Sequence, residues 1–136
     1  MDNNTIDPEN REQLSSLCER ALLVGVRDSG ETALQAEAHL NELDGLVASL
    51  GIPVVGSILA TLKELSSRTL IGKGKVEEVG VGITDLEADL VVFDADLSPA
   101  QQRNLEKDWG VPVIDRREVI LDIFADRAST REAVIQ

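Results

Sequence analysis

The stretch ADLVVFDADLSPAQQRNLEKDWGVPVID, residues 88–115, decides the fold. It opens with a nearly continuous apolar run at residues 88–93, which is typical of a strand buried on both faces. Ser98, Pro99 and Gln101 then supply an N-cap, a proline at the first helical position and a glutamine at the third, which together predict the start of a helix. Gly110 predicts the end of that helix, and residues 111–115 form the next strand.

The same alternation of strand and helix extends in both directions along the chain. Upstream, residues 21–26 predict a strand, Asp28 or Ser29 with Glu31 predicts a helix cap, and residues 52–58 predict a second strand. Residues 59–71 read as strand end and loop. Apolar residues at helical spacing predict three further helices, at Ala36, Leu40, Leu43, Val47 and Leu50, at Val76, Val79, Ile83 and Leu86, and at Val119, Ile120, Ile123 and Phe124. Four alternations predict an α/β fold of alternating βα units, with a four-stranded, mainly parallel sheet and helices on both faces.

Composition limits the function. A length of 136 residues fits one domain, and an aromatic content of 2% requires a core of Val, Ile, Leu and Ala. The net charge of -12 disfavours nucleic-acid and anionic-membrane partners unless the bases are gathered locally. One cysteine and one histidine exclude an intrachain disulfide and a Cys/His zinc site, and a reduced cytoplasmic setting is expected. No apolar run approaches the roughly 20 residues of a membrane span, and no signal peptide is recognisable.

The segment at residues 71–75, Ile-Gly-Lys-Gly-Lys, stands out as a candidate phosphate site. Glycines expose backbone N–H groups, the following helix adds a positive dipole, and the lysines add charge. Candidates to bind nucleotide or RNA phosphate are Arg68, Gly72, Lys73, Gly74 and Lys75. Neither a P-loop nor a G-x-G-x-x-G pattern after a strand is present, which disfavours NTP hydrolysis. Residues 63–75 hold four bases and one acid; the competing interpretation is a solvated loop whose lysines offset neighbouring acids.

Asp94 and Asp96 follow a buried strand, at the edge where parallel sheets bind ligands. Two carboxylates there could hold Mg²⁺, but capping of the next helix or its loop is the commoner use, so no metal ligand is assigned. His39 is predicted to be a surface residue, and Cys18 and Trp109 to serve packing. Four arginines near the C-terminus, interspersed with acids, predict helix-surface ion pairs: Arg116, Arg117, Arg127 and Arg131. No catalytic residue is assigned.

Several strings in order resemble the N-terminal domain of the HflX family of ribosome-associated GTPases. The likeness covers about residues 21–132 and rests on IGKGKVEE at 71–78, FD at 93–94, LSPAQQRNLE at 97–106, VIDR at 113–116 and ILDIFADRASTRE at 120–132. The family usually continues Thr-Arg-Glu with Gly-Lys-Leu-Gln, whereas this chain continues with Ala133. We therefore expect a polar arm at 1–20, the HflX-like domain at 21–132, and the start of a truncated helical extension at 133–136.

The resemblance implies a parallel four-stranded sheet and a parent protein that binds the large ribosomal subunit. It implies a separate GTPase domain, absent from this chain, that would use GTP and Mg²⁺. Family-motif positions are Asp94, Ser98, Gln101, Arg103, Asn104, Asp115 and Arg116. The leading hypothesis is a non-catalytic accessory domain that helps dock on the ribosome and regulates the GTPase domain. The alternatives are an ATP- or GTP-binding module using Gly72 to Lys75, and a structural packing domain, which predicts an exposed apolar patch around Ile120 and Phe124.

Overall fold

A computed structural model describes residues 18–61 and 68–135, with side chains described as far as residue 125. The predicted polar arm at residues 1–20 lies mostly outside the described residues, and Lys63 and the side chains of Arg127 and Arg131 lie outside them. The elements in chain order are β1 (Ala21–Arg27), α1 (Ala33–Ala48), β2 (Val54–Thr61), α2 (Lys73–Leu86), β3 (Leu90–Asp94), α3 (Pro99–Trp109), β4 (Val113–Asp115) and α4 (Arg116–Ile135). None of the described helices is both long and apolar enough to cross a membrane.

The four strands form one sheet in the order β2-β1-β3-β4. Every neighbouring pair is parallel, with Leu22 beside Gly56 on one side and beside Val91 on the other, and Val91 beside Val113. The prediction of a four-stranded parallel sheet in an α/β fold is confirmed. Because the chain leaves β1 toward β2 and then returns past β1 to reach β3, the connections reverse direction between β1 and β3.

Helices cover both faces of the sheet, as predicted. On one face α1 and α4 pack on alternate strand residues, with Leu43 and Val119 meeting Leu23 and Val92. On the other face α2 and α3 do the same, with Val79 and Leu105 among the residues that meet Leu22 and Phe93. The core is aliphatic apart from Phe93, whose ring stacks on Trp109 with centroids 6.1 Å apart.

The signals at the ends of α3 were predicted correctly. The Ser98 hydroxyl accepts from the Gln101 amide at 3.1 Å, and the Gln101 side chain accepts from the Ser98 amide at 3.0 Å. Gly110 ends the helix with a φ of +72°, which a glycine adopts without strain.

The predicted cap of α1 at Asp28 or Ser29 is wrong. The N-cap is Thr32, which forms a capping box with Gln35. Asp28 closes the preceding turn instead: its carboxylate accepts from the Ser29 amide at 2.6 Å, and its carbonyl accepts from the Glu31 amide at 3.0 Å. Because the Asp28 carboxylate stabilises this turn, it does not cap α1.

The elements around the glycine-lysine segment also differ from the prediction. β2 begins at Val54, two residues after the predicted start, and ends at Thr61, within the segment predicted to be strand end and loop. α2 begins at Lys73, so Lys73, Gly74 and Lys75 form its first turn rather than a loop before it. The cause is Gly72, which takes an extended conformation and whose carbonyl accepts from the Val76 amide at 2.9 Å, closing the first turn.

The chain before β1 is held against the loop that leads to β3. Cys18 is buried in the α1 side of the core, in agreement with its predicted packing role. The Asp89 carboxylate accepts from the Glu19 amide at 2.9 Å and from the Arg20 amide at 2.8 Å. Cys18, three residues before the strand, is therefore already part of the core.

Candidate functional site

The glycine-lysine segment lies at the mouth of a cavity of about 530 Å³ between α2 and α3. Gly72 is the N-cap of α2 and brings no side-chain hydrogen bond to the first turn of that helix. The first backbone N–H groups of α2 therefore receive no hydrogen bond from an N-cap side chain and suit an anion. The lining residues are Arg68, Thr69, Lys73, Val76, Glu77, Gly80, Asp108 and Trp109.

Most of the positive charge described here is already paired. Arg68 binds Asp108 through two nitrogens, at 2.9 and 3.2 Å, and this contact holds the pKa of Asp108 below its usual range. Lys75 pairs with Glu78 at 2.9 Å. Lys73 is exposed and has no ion-pair partner within the described part of the chain. Arg68 and Lys75 thus offset nearby acids, as the solvated-loop interpretation expects. Of the three described bases, Lys73 is the one whose charge is not paired within the described residues.

The wall of this cavity is fixed by contacts from α3. The Trp109 indole donates to the Val76 carbonyl at 3.0 Å, and the Asn104 amide donates to the Arg68 carbonyl at 3.0 Å. A Cβ at Gly80 would lie 3.5 Å from the Trp109 ring, so this glycine lets the two helices approach closely. Trp109 therefore combines its predicted packing role with lining the cavity, which sequence reasoning missed.

A second cavity, of about 340 Å³, lies at the carboxyl edge of the sheet between β1 and β3. We call it the edge crevice; it is lined by Val26, Glu31, Ala36, His39, Asp94, Ala95, Asp96 and Arg116. The position predicted for Asp94 and Asp96, at a ligand-binding edge, is thus where the structure has a cavity. Sequence reasoning missed Glu31 and His39 here, because their approach depends on the turn before α1.

Ion pairs line the edge crevice. Arg116 donates to Asp94 at 2.8 Å and also binds Glu42, and His39 Nδ1 lies 2.6 Å from Glu31 Oε2. Burial raises the pKa of the Asp94 carboxyl, and the neighbouring Arg116 guanidinium opposes that rise only in part. His39 is a surface residue, as predicted, and one edge of its ring faces the crevice.

The magnesium alternative finds no support in the described residues. Asp94 pairs with Arg116, and the exposed Asp96 lies 3.5 Å from Arg117. Across residues 18–61 and 68–125, no group of three or more His, Cys, Asp or Glu side chains is placed to hold a metal ion. Both carboxylates therefore form ion pairs with arginines at the start of α4.

The other family-motif positions are structural in this fold. Ser98 and Gln101 cap α3, and Asn104 fixes the segment before α2. Asp115 is buried and accepts from the Leu97 amide at 3.1 Å, joining the loop before α3 to the start of α4. Arg103 is exposed on α3, and no contact draws it to either cavity.

One face of α4 is exposed and apolar. Ile120, Leu121 and Phe124 are 38%, 65% and 61% exposed, whereas Val119 on the opposite face is buried. Residues three and four apart adjoin on a helix, so the three side chains form one patch. This exposed patch is the one that the packing alternative predicts.

Comparison with known proteins agrees with this fold. A family described as "GTP-binding GTPase N-terminal" matches residues 37–125. "GTPase HflX" of Akkermansia muciniphila is 48% identical over 120 residues, covering 88% of this chain and 28% of that protein. "GTPase HflX" of Lacrimispora saccharolytica is 43% identical over 124 residues, covering 91% of this chain and 29% of that protein. The chain thus spans under a third of these relatives.

Solved structures show the same fold at lower identity. The crystal structure of SsGBP in complex with GDP aligns with a TM-score of 0.58 at 21% identity, over 79% of this chain and 29% of that one. A GTP-binding protein from Sulfolobus solfataricus, also with GDP, aligns with a TM-score of 0.51 at 20% identity, over 79% of this chain and 30% of that one. These structures show the fold, and the sequence matches show the family: the chain belongs to the GTP-binding GTPase N-terminal family and corresponds to the N-terminal domain of HflX proteins.

Proposed function

We propose that this chain is the non-catalytic N-terminal accessory domain of an HflX-type GTPase in the cytoplasm. In this proposal it contacts the GTPase domain of the parent protein, regulates GTP hydrolysis there, and helps dock the protein on the large ribosomal subunit. The observation that carries the proposal is the apolar patch of Ile120, Leu121 and Phe124 on α4. An exposed apolar patch of this kind is typical of a surface that another protein unit covers.

The test for regulation uses the parent protein with the double substitution Leu121→Ser and Phe124→Ser. Because both side chains are exposed, we expect the folded domain to keep its stability to within about 0.5 kcal/mol. We expect the GTP hydrolysis rate to change, since the surface that meets the GTPase domain is altered. The matched control is Leu34→Ser on α1, an exposed leucine outside the patch. Unchanged hydrolysis in the double variant would contradict the regulatory role.

Ribosome docking calls for local contact, because a net charge of -12 repels a broad RNA surface. Lys73 is the base suited to it, because it is exposed, has no ion-pair partner among the described residues and lies in the first turn of α2. Cosedimentation of the chain with large subunits over a salt series tests this. Phosphate contact predicts binding that weakens steeply with salt, and Lys73→Ala should lower the slope by about 1.

The control for docking is Lys107→Ala, which removes a charge from an exposed position of α3 outside both cavities. It should leave binding unchanged. Salt-resistant binding that survives both Lys73→Ala and Lys75→Ala would exclude the segment at the start of α2 as the contact.

Nucleotide binding at the same place is a second candidate, favoured by the cavity of about 530 Å³ beside Lys73 and Trp109. The Lys73 amine and the backbone N–H groups at the start of α2 suit phosphate, and the Trp109 indole suits a base ring. Trp109 is the single tryptophan, so its fluorescence reports on this cavity alone. Titration with ATP and GTP should quench it in the wild type and much less in Lys73→Ala. No heat and no thermal shift at millimolar nucleotide would remove this candidate.

A further inference from the structure

The two outer strands of the sheet differ in length and chemistry. β2 and β4 lie at opposite edges, and within the described residues each pairs with a single neighbour. β4 has three residues and ends at the charged Asp115, whereas β2 has eight residues and no charged side chain. An outer strand presents a row of N–H and C=O groups on its outer side, and a long, uncharged one can pair with another chain.

The features that commonly protect a sheet edge lie at the start of β2 or before it. Proteins prevent edge pairing with charged residues, prolines, bulges or a covering segment. Pro53 precedes the strand, and the register shift against β1 lies between Val54 and Gly56. From Gly56 to Thr61 the pairing with β1 is continuous. This part of β2 is therefore a regular edge, with neither charge nor proline, to which a further strand can be added.

The helices cover the apolar side chains of β2 only in part. Val55, Ile58 and Leu59 are half-buried, whereas β1 and β3 are buried along most of their length. Ile58 packs on the α2 side of the core. Leu59 lies on the α1 side, where a Cβ at Gly25 would contact both Leu59 and Leu40. A strand added at this edge covers apolar surface on both faces of the sheet while it pairs with the backbone.

The charge pattern of the chain favours a second copy as the partner at this edge. Residues 45–62 are the longest stretch without Asp, Glu, Lys or Arg, and β2 lies within it. Two copies with a net charge of -12 each repel one another, so they approach most easily where neither copy brings charge. Antiparallel pairing about a two-fold axis also makes the strand its own complement, because each copy receives the hydrogen bonds that it gives.

We propose that the chain forms a reversible homodimer in which β2 of one copy pairs antiparallel with β2 of the other. The two four-stranded sheets join into one, and the assembly closes at two copies because both β2 edges are used. A strand pair of this length buries less than a standard protein interface, so we expect a Kd on the order of 100 µM. The dimer does not depend on the proposed function, since α4 packs beside β4 at the opposite edge of the sheet.

Analytical ultracentrifugation of the untagged chain tests the dimer. The protein concentration is varied from roughly tenfold below to roughly tenfold above the expected Kd. We expect the weight-average mass to rise from the monomer value of 14.7 kDa towards twice that value and to level off there. A mass that stays at the monomer value over this range would overturn the proposal. A mass that continues to rise past the dimer value would also overturn it, because pairing of β2 with β2 closes at two copies.

A lysine on the edge separates strand pairing from general charge effects. Ser57 is exposed on β2, and Ser57→Lys puts like charges close to each other across the axis, so the dimer should weaken about tenfold or more. The substitution changes the net charge from -12 to -11, so charge repulsion alone predicts the opposite, a tighter dimer. Ser29→Lys, at an exposed serine in the turn after β1, makes the same change of charge and should dimerise at least as well as the wild type. Equal affinity of the two variants would refute the pairing of β2.

Hydrogen exchange locates the interface in the wild type, without any substitution. Amide exchange in residues 54–61 should be slower in concentrated than in dilute protein, while exchange in residues 120–124 of α4 should stay the same. The double variant with Leu121→Ser and Phe124→Ser should dimerise as the wild type does. Slower exchange in α4 without a change in β2, or loss of the dimer in the double variant, would assign the interface to the apolar patch and overturn the proposal.

Discussion

We expect substitution of Asp115 to lower the free energy of unfolding strongly. Its side chain is buried at the end of β4 and accepts three hydrogen bonds. The donors are the Leu97 amide at 3.1 Å, the Glu118 amide at 3.2 Å and the Arg117 guanidinium at 3.1 Å. One carboxylate therefore joins the loop before α3 to the first turn of α4.

The expected magnitude follows from those contacts. A hydrogen bond to a charged acceptor contributes about 1.5–3 kcal/mol, and a buried amide left without an acceptor costs about 1–3 kcal/mol. Loss of the bond to Glu118 removes the cap of α4, which costs about 1 kcal/mol. Because these contributions overlap, Asp115→Ala should lower the free energy of unfolding by about 3–5 kcal/mol. Asp115→Asn keeps the volume but places an amide donor against donors, so we expect a loss of about 2 kcal/mol or more.

The assay is urea unfolding followed by circular dichroism, with stability taken from the midpoint at unchanged slope. For a domain of this length, a loss of 3 kcal/mol corresponds to a fall in Tm of roughly 10 °C. Asp85→Asn, at an exposed position of α2, is the control and should stay within about 0.5 kcal/mol of the wild type. If Asp115→Ala and Asp115→Asn both unfold with the wild-type midpoint, the reasoning is refuted.

Three further predictions concern packing, pH and thiol reactivity. A Cβ at Gly25 would lie 3.1 Å from the methyl carbons of two leucines, so Gly25→Ala should destabilise the fold by about 1–3 kcal/mol in urea unfolding; an equal or higher midpoint would contradict this. Arg68 lowers the pKa of Asp108, so their pair stabilises the fold above the ordinary carboxyl pKa of about 4 and loses its effect as pH falls through the lowered value. The deficit of Asp108→Asn at pH 7, up to about 1 kcal/mol for an exposed pair, should shrink in acid, and a constant deficit would exclude the ion pair as its source. Burial raises the pKa of the Cys18 thiol to about 12, so iodoacetamide should alkylate it far more slowly in the native chain than in urea, and comparable rates would show that the thiol is accessible.

The sequence predicted the N-cap of a helix correctly where only one capping pattern preceded the helix. At α3, Ser98 and Gln101 form the single capping pattern before the helix, and the structure follows it. At α1, two patterns lie in tandem, Asp28 with Glu31 and Thr32 with Gln35, and both satisfy the spacing of a capping box. Asp28 of the first pattern stabilises the turn after β1, and Thr32 of the second pattern caps the helix. Which pattern caps the helix depends on where β1 ends at the sheet edge.

Long-range charge pairing could not be predicted in the same way. The four bases at residues 63–75 stand out in sequence, yet Arg68 is neutralised by Asp108, forty residues later on α3. Likewise Asp94 and Asp96 were expected at a ligand-binding edge from the strand before them, but Arg116 reaches Asp94 only because β4 lies beside β3. Strand order decides these partners, and strand order follows from packing of the whole domain rather than from any short motif.

The start of α4 connects the edge crevice to the exposed apolar patch. Arg116, in its first turn, binds Asp94 in the edge crevice, while Leu121 and Phe124 further along present the apolar patch. At 1.5 Å per residue, Arg116 and Leu121 are separated by roughly 7.5 Å along the helix axis. The contact between Arg116 and Asp94 therefore ties the first turn of this helix to the end of β3, about one and a half turns before the patch that, in our proposal, meets the GTPase domain.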